Sequence, residues 1–142
     1  MTQNRRDNSS TEFGLWLREQ PEIDSSLGFV TSNIDFLWKN YHSGYWMFIE
    51  EKRFRYVPKF YQVKLYQMLD AACSAADGYK GFHLLIFENT SPSDGAIWLD
   101  GRYITSCDFI KFLTFENENE WYKSYFPKSN LLQIAAPKEV TQ

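Results

Sequence analysis

The feature that most constrains the fold is a near-continuous apolar run at residues 81–88, with the sequence GFHLLIFE. Strands that are buried on both faces contain such runs, whereas strands with one solvent-exposed face alternate between apolar and polar residues. We therefore expect a central strand that other elements cover on both sides. The chain has 142 residues, of which 44% are hydrophobic and 18% aromatic, so one domain can supply that cover.

The elements before this strand follow from periodicity and from residues that start or stop helices. Ser9 and Glu12 have the spacing of a capping box and predict a helix at residues 10–19, which Pro21 ends. Alternation and turn residues then predict three strands, and an apolar helical face beginning with Pro58 in its first turn predicts a second helix. These strands are residues 27–31, 34–40 and 45–53, and the helix is residues 58–76.

The elements after the central strand are a hairpin and a helix. Asp100 and Gly101 predict a tight turn between strands at residues 96–99 and 102–105, and residues 106–115 are typical of a helix. We expect residues 1–9 to be loose, and residues 116–142 have weak periodicity. The sequence therefore predicts one domain over residues 1–142, of the α/β or α+β class, with a central mixed sheet flanked by helices.

Composition and charge exclude several classes of protein. The longest apolar runs are only a few residues, whereas a membrane-spanning helix needs about 20. Residues 1–10 do not resemble a secretory signal peptide, and two cysteines are too few for a disulfide scaffold. We therefore expect an intracellular, cytoplasmic protein with no membrane partner. The net charge of −3 excludes a wholly basic nucleic-acid coat but leaves room for a local basic site.

The candidate chemistry lies in the predicted hairpin of residues 34–53. Asp35 is placed on one strand, and Glu50, Glu51 and Lys52 end the other. Because side chains alternate along a strand, Glu50 and Lys52 share one face, and the hairpin brings Asp35 beside Glu50. Two converging carboxylates repel each other, and a hard divalent cation removes that repulsion. A lysine two residues further on can orient a water or balance charge in phosphodiester hydrolysis.

Two further features adjoin this hairpin. Gln62 and Tyr66 are four residues apart on the predicted helix, so they project together and can contact a phosphate or support Glu50 and Lys52. The segment that contains them is basic, without any acidic residue, and aromatic residues interleave with its cations. This basic stripe consists of Lys52, Arg53, Arg55, Lys59 and Lys64. The combination favours contacts with a phosphate backbone together with stacking on bases.

These motifs resemble those of the PD-(D/E)XK nuclease superfamily. Asp35 and Glu50-Glu51-Lys52 match its D…(D/E)xK pattern, and Gln62 and Tyr66 match the QxxxY motif of the RecB-like and lambda-exonuclease-like branch. The predicted elements over about residues 11–88 also follow that superfamily's order of helix, three strands, helix and strand. The chain departs from the pattern at Ile34, which replaces the usual proline. Many members also have an acidic residue on the first helix, for which Glu12 is the best match and Glu19 the alternative.

The resemblance implies a restriction-endonuclease-like core and a Mg²⁺-dependent deoxyribonuclease, with Mn²⁺ as a substitute. Asp35 and Glu50, with Glu12 as a further candidate, would bind the metal, and Lys52 would position the water. Gln62, Tyr66 and the basic residues Arg53, Arg55 and Lys59 would contact DNA, double- or single-stranded, or support the site. Small size is compatible with a homo-oligomer and with a phage or mobile-element protein.

Other interpretations of the same residues remain open. The chain could be a non-catalytic nucleic-acid-binding module of this fold, a junction-type endonuclease, or an interaction protein that uses its aromatic C-terminal part. Residues 50–53 could be a solvated strand end, and Asp35 a surface residue on an edge strand. His83 is most simply a core histidine whose hydrogen bonds are satisfied.

Overall fold

The computed structural model describes residues 11–123, and within them the chain divides into two compact units at Ser32 and Asn33. The first unit contains helix α1, Glu12–Arg18, followed by short 3-10 turns at Pro21–Ile23 and Ser25–Leu27. Thr11 caps α1, because its side chain accepts a hydrogen bond from the Gly14 amide at 3.0 Å. The prediction that Ser9 caps this helix is therefore wrong.

The predicted strand at residues 27–31 is also wrong. The Asp24 carboxylate accepts a hydrogen bond from the Ser26 amide at 2.9 Å, which closes a 3-10 turn in place of a strand. Gly28 then takes a left-handed conformation, with φ 97°, and the chain runs without regular structure to the first strand. Between α1 and the next helix there are thus two strands, where the superfamily pattern predicts three.

The second unit is built on one mixed sheet of five strands in the order β1-β2-β3-β4-β5. Helix α2, Phe60–Cys73, connects β2 to β3, and helix α3, Ser106–Leu113, follows β5. The strands are β1 Phe36–Lys39, β2 Trp46–Lys52, β3 Tyr79–Phe87, β4 Ile97–Leu99 and β5 Arg102–Ile104. Strands β2 and β3 are parallel, and every other neighbouring pair is antiparallel. The α+β class with a mixed sheet flanked by helices is confirmed.

Strand β3 is the buried centre of the sheet, as the apolar run predicts. Alternate residues of β3 point to two separate hydrophobic clusters. Leu85 and Phe87 pack with Phe109 and Phe112 of α3, and Leu84 and Ile86 pack on the other face with residues of α2. The sheet is therefore covered on both faces, and α2 lies over the face that carries Glu50.

The turns that join the strands contain the residues that turns require. In the β1–β2 hairpin, the Asn40 side chain accepts hydrogen bonds from the amides of His42 and Ser43, at 2.7 and 3.0 Å. Asp100 and Gly101 both have positive φ, at 52° and 83°, as a two-residue hairpin with this sequence requires. No helix among residues 11–123 is long and apolar enough to cross a membrane.

The start of α2 differs from prediction by two residues. Lys59 is the N-cap and Pro58 precedes it, so the expectation that Pro58 lies in the first turn is wrong. Gln62 sets this boundary, because its side-chain oxygen accepts a hydrogen bond from the Lys59 amide at 2.9 Å. A short 3-10 turn at Asn119–Tyr122 follows α3, and the weakly periodic segment at residues 124–142 lies outside the described residues.

Candidate active site at the end of strand β2

Asp35 and Glu50 are brought together by the register of the β1–β2 hairpin. Phe36 pairs with Ile49, so the residue before β1 lies beside the residue after Ile49. The Asp35 amide donates a hydrogen bond to Glu50 Oε1 at 3.2 Å, and Asp35 Oδ2 accepts one from the Glu51 amide at 2.9 Å. Asp35 is exposed and lies just before the strand, whereas the sequence predicts it within the strand.

Glu50 is a buried carboxylate in an unfavourable position for its charge. Its side chain lies on the α2 face of the sheet, and the residue is only 4% exposed. Burial raises the pKa of Glu50, and the nearby negative charge of Asp35 raises it further. The Tyr66 hydroxyl, the Asp35 amide and the charge of Lys52 oppose this rise without cancelling it. Burial also excludes the interpretation of Glu50 as part of a solvated strand end.

Lys52 lies between Glu50 and the first turn of α2. Its Nζ atom is 3.7 Å from Glu50 Oε2 and 3.4 Å from Gln62 Oε1, to which it donates a hydrogen bond. The oxygen of Gln62 therefore accepts from both the Lys59 amide and the Lys52 ammonium. Because one acceptor atom serves both groups, the start of α2 fixes the position of the lysine.

Tyr66 supports the same carboxylate from one turn further along α2. The residue is fully buried, its ring stacks on Phe82 with centroids 4.8 Å apart, and its hydroxyl opposes the rise in the pKa of Glu50. Tyr79 anchors the other end of the helix, because its hydroxyl donates to buried Asp70 at 2.5 Å. Gln62 thus contacts Lys52, and Tyr66 acts on Glu50, whereas the contact of either residue with a substrate stays a prediction.

The remaining predicted binding residues lie around this cluster, and some already have acidic partners. Glu51 lies on the other face of β2, where it forms an ion pair with Arg53 at 3.5 Å. Arg55 forms an ion pair with Glu88 at 3.4 Å, and its guanidinium lies 5.0 Å from the ring centroid of Trp98. Lys59 is exposed. The basic stripe is therefore partly neutralised.

The donor set for a cation consists of two carboxylates. Glu12 belongs to the first compact unit, so its assignment as a metal ligand stays a prediction from sequence. Within residues 11–123, no group of three or more His, Cys, Asp or Glu side chains is arranged to hold a metal ion. Mg²⁺ typically uses only one or two protein carboxylates and completes its shell with water and phosphate oxygens. Asp35 and Glu50 fit that requirement.

Sequence reasoning missed the turn that leads from Lys52 back to the site. Phe54 and Arg55 both have left-handed backbone, with φ 56° and 62°, a conformation rare outside Gly, Asn and Asp. Their amides donate to the carbonyls of Asn89 and Phe87, at 2.8 and 2.9 Å, which holds the turn in place. Neither residue type gives a sequence signal for such a turn.

Comparison with known proteins identifies no relative of this chain. No family model matches it, and neither a curated protein nor a solved structure gives a significant match. The function must therefore be inferred from the residues of the site.

Proposed function

We propose that this protein is a metal-dependent nuclease that hydrolyses phosphodiester bonds of DNA. The observation that carries the proposal is the convergence of Asp35, Glu50 and Lys52 at the end of β2. A buried carboxylate with a raised pKa, beside a second carboxylate and a lysine, is typical of a site prepared for chemistry.

The electrostatics of Asp35 and Glu50 favour the binding of a cation between the two carboxylates. Burial removes Glu50 from water, and Asp35 repels its charge, so the ionised pair is costly in the folded protein. Lys52 offsets this cost only in part, because the pKa of Glu50 stays raised although Lys52 is 3.7 Å away. A divalent cation held by Asp35 and Glu50 would stabilise both carboxylates in the charged form.

Each residue then has a distinct role. Asp35 and Glu50 would hold Mg²⁺, or Mn²⁺ in its place. When bound, the ion would act as a Lewis acid on the scissile phosphate. Lys52 would position the attacking water and balance negative charge as it develops on the phosphate. Gln62 and Tyr66 are positioning residues, since they act through Lys52 and Glu50.

A second candidate is a nucleic-acid-binding module that keeps the site residues for stability alone. The Lys52–Glu50 ion pair favours it, because that contact can balance the buried charge without any metal. This alternative predicts salt-dependent DNA binding and no cleavage with any divalent ion.

The experiment is cleavage of end-labelled linear DNA and closed circular DNA with Mg²⁺, Mn²⁺ or EDTA. Lys52→Ala tests the site, and Lys111→Ala removes a matched exposed lysine from α3, on the opposite face of the sheet. We expect metal-dependent cutting that Lys52→Ala abolishes and Lys111→Ala preserves. Cutting of linear DNA alone would indicate an exonuclease. If neither metal supports cutting, or if Lys52→Ala cuts as fast as the parent, the proposal is wrong.

A further inference from the structure

The loop between β2 and α2 is closed at the candidate active site. It leaves β2 at Lys52 and reaches the N-cap of α2 at Lys59. The oxygen of Gln62 accepts from the Lys59 amide at 2.9 Å and from Lys52 Nζ at 3.4 Å, so the two ends of the loop meet at one atom. The loop at residues 53–58 therefore begins and ends beside the candidate active site.

This loop is held by hydrogen bonds in an uncommon conformation. The left-handed turn at Phe54 and Arg55 is held by bonds to the carbonyls of Asn89 and Phe87, and the Tyr56 amide donates to the Arg53 carbonyl at 3.0 Å. Non-glycine residues adopt such backbone only where the surroundings impose it, and such sites cluster at functional positions. The turn fixes the direction of the side chains that follow it.

The loop and the first turn of α2 present aromatic rings to solvent. Tyr56 is 68% exposed and Phe60 63%, and the rings of Phe54 and Tyr56 lie edge to face with centroids 6.4 Å apart. Tyr61 is also exposed. We call these four residues, Phe54, Tyr56, Phe60 and Tyr61, the aromatic platform. Exposed aromatic side chains that are concentrated in one segment in this way are typical of an interaction site.

The charges around the aromatic platform complement a polyanion. From Lys52 to Leu69 the sequence has five cations and no carboxylate. Lys64 Nζ lies 5.5 Å from the centre of the Phe60 ring, so one cation directly accompanies a stacking surface. Arg53 and Arg55 have exposed side chains, and their ion pairs are of the weak surface type, so a phosphate can replace the carboxylate.

Single-stranded DNA has both features that this surface complements. In a duplex the faces of the bases are stacked on each other, whereas a single strand offers every base face to an aromatic side chain. We propose that the aromatic platform binds single-stranded DNA by base stacking and thereby delivers single strands, or the unpaired ends of duplexes, to Lys52. The delivery part rests on the nuclease proposed above, but the binding part requires neither metal nor cleavage.

The test is fluorescence anisotropy in EDTA with a labelled 12-nucleotide oligo-dT and with a labelled 12-base-pair duplex, on the full chain. We expect the single strand to bind at least tenfold more tightly than the duplex. Tyr56→Ala and Phe60→Ala should each weaken single-strand binding about tenfold, within the range known for loss of one stacking contact. Tyr56→Phe keeps the ring and should bind as the parent does.

Tyr41→Ala is the matched control. Tyr41 is 93% exposed but lies in the turn at the opposite end of the β1–β2 hairpin, so its removal should leave binding unchanged. Equal binding of duplex and single strand, or equal losses in Tyr41→Ala and Tyr56→Ala, would overturn the proposal. So would a change of oligomeric state in Tyr56→Ala during sedimentation, since the platform would then be an interface between copies. If binding follows these expectations but no cleavage is found, the proposal that the platform binds single strands is supported, and only the nuclease proposal is wrong.

Discussion

Two buried titratable groups lie on opposite faces of the same sheet, and their neighbours stabilise the charged forms to different degrees. On the α3 face, His83 is fully buried, and Asp100 Oδ2 lies 2.7 Å from its Nδ1 atom. The Lys80 carbonyl lies 2.7 Å from His83 Nε2, and Asp100 Oδ1 accepts from the Leu84 amide at 2.8 Å. On the α2 face, Glu50 is buried beside a second carboxylate and one lysine 3.7 Å away.

The pKa is raised in both groups, but the raised value reflects a stabilised charged form in His83 and a destabilised charged form in Glu50. Burial alone would lower the pKa of His83, but the charge of Asp100 and acceptors at both ring nitrogens raise it, so the charged form is stabilised. Burial raises the pKa of Glu50, and Asp35 adds to the rise, so the charged form is destabilised. The His83 pair therefore contributes to the fold, whereas at the Glu50 site one lysine faces two carboxylates and does not fully offset the cost of the buried charge.

The largest expected effect that separates the two regions is on catalysis. Glu50→Gln should reduce DNA cleavage about a thousandfold, because it would remove a ligand of the proposed metal ion, and such an ion would contribute several kcal/mol to the transition state. In EDTA at neutral pH, the same change should not lower the free energy of unfolding, since it removes a destabilised charge. Glu51→Gln, on the other face of β2, is the control and should change neither measurement much. Urea unfolding that shows clear destabilisation of Glu50→Gln would contradict the comparison.

Next in size is the effect of breaking the satisfied pair. Asp100→Asn should lower the free energy of unfolding by about 3 kcal/mol, because His83 would remain buried without its counter-charge. Asparagine tolerates the left-handed backbone at this position, where φ is 52°, so the change isolates the charge. Asp77→Asn, at an exposed position, serves as the control in the same urea titration. Equal stability of Asp100→Asn and the parent would show that His83 is neutral in the folded protein.

A divalent ion should stabilise only the unsatisfied region. At a Mg²⁺ concentration a hundredfold above its dissociation constant, the free energy of unfolding should rise by about 2.7 kcal/mol. The rise should disappear in Asp35→Asn and Glu50→Gln and persist in Asp100→Asn, which thermal unfolding with and without Mg²⁺ can measure. An unchanged rise in Asp35→Asn would mean that the ion binds elsewhere.

The smallest expected effect is the change in the free energy of unfolding with pH. Both groups bind protons more tightly when folded, so each contribution decreases as pH rises. For Glu50 the loss begins near 4.5, its ordinary pKa, and for His83 near 6.5, and each ends above the folded pKa. The slope for one proton is at most about 1.4 kcal/mol per pH unit. The free energy of unfolding should be measured from pH 4 to 9. The decrease that begins near pH 4.5 should disappear in Glu50→Gln, and the decrease that begins near pH 6.5 should disappear in Asp100→Asn.

The sequence predicted which residues lie together better than it predicted their surroundings. Asp35 and Glu50 are separated by one hairpin, and Gln62 and Tyr66 by one helical turn, so local geometry is enough to bring each pair together. Glu51, which neutralises Arg53, lies two residues before it along the chain, but Glu88, which neutralises Arg55, follows β3, and its position depends on tertiary contacts. The same is true of the burial that raises the pKa of Glu50.

The predicted strand at residues 27–31 is the clearest failure in the fold. Its apolar residues match strand propensity, but strand formation also needs a pairing partner, which propensity does not contain. Leu27, Phe29 and Val30 are all exposed, and the preceding residues form a capped turn. The turn at Phe54 and Arg55 was missed for a related reason, since carbonyls of a distant segment hold it.

The double role of Gln62 links the lifetime of the site to the opening of one helix end. Helix ends fray more readily than helix interiors. Each time the first turn of α2 opens, the bond from Gln62 to the Lys59 amide breaks, and the acceptor that holds Lys52 moves with it. The rate at which the Lys59 amide exchanges its hydrogen with deuterated solvent therefore measures how often the contact that holds Lys52 is broken.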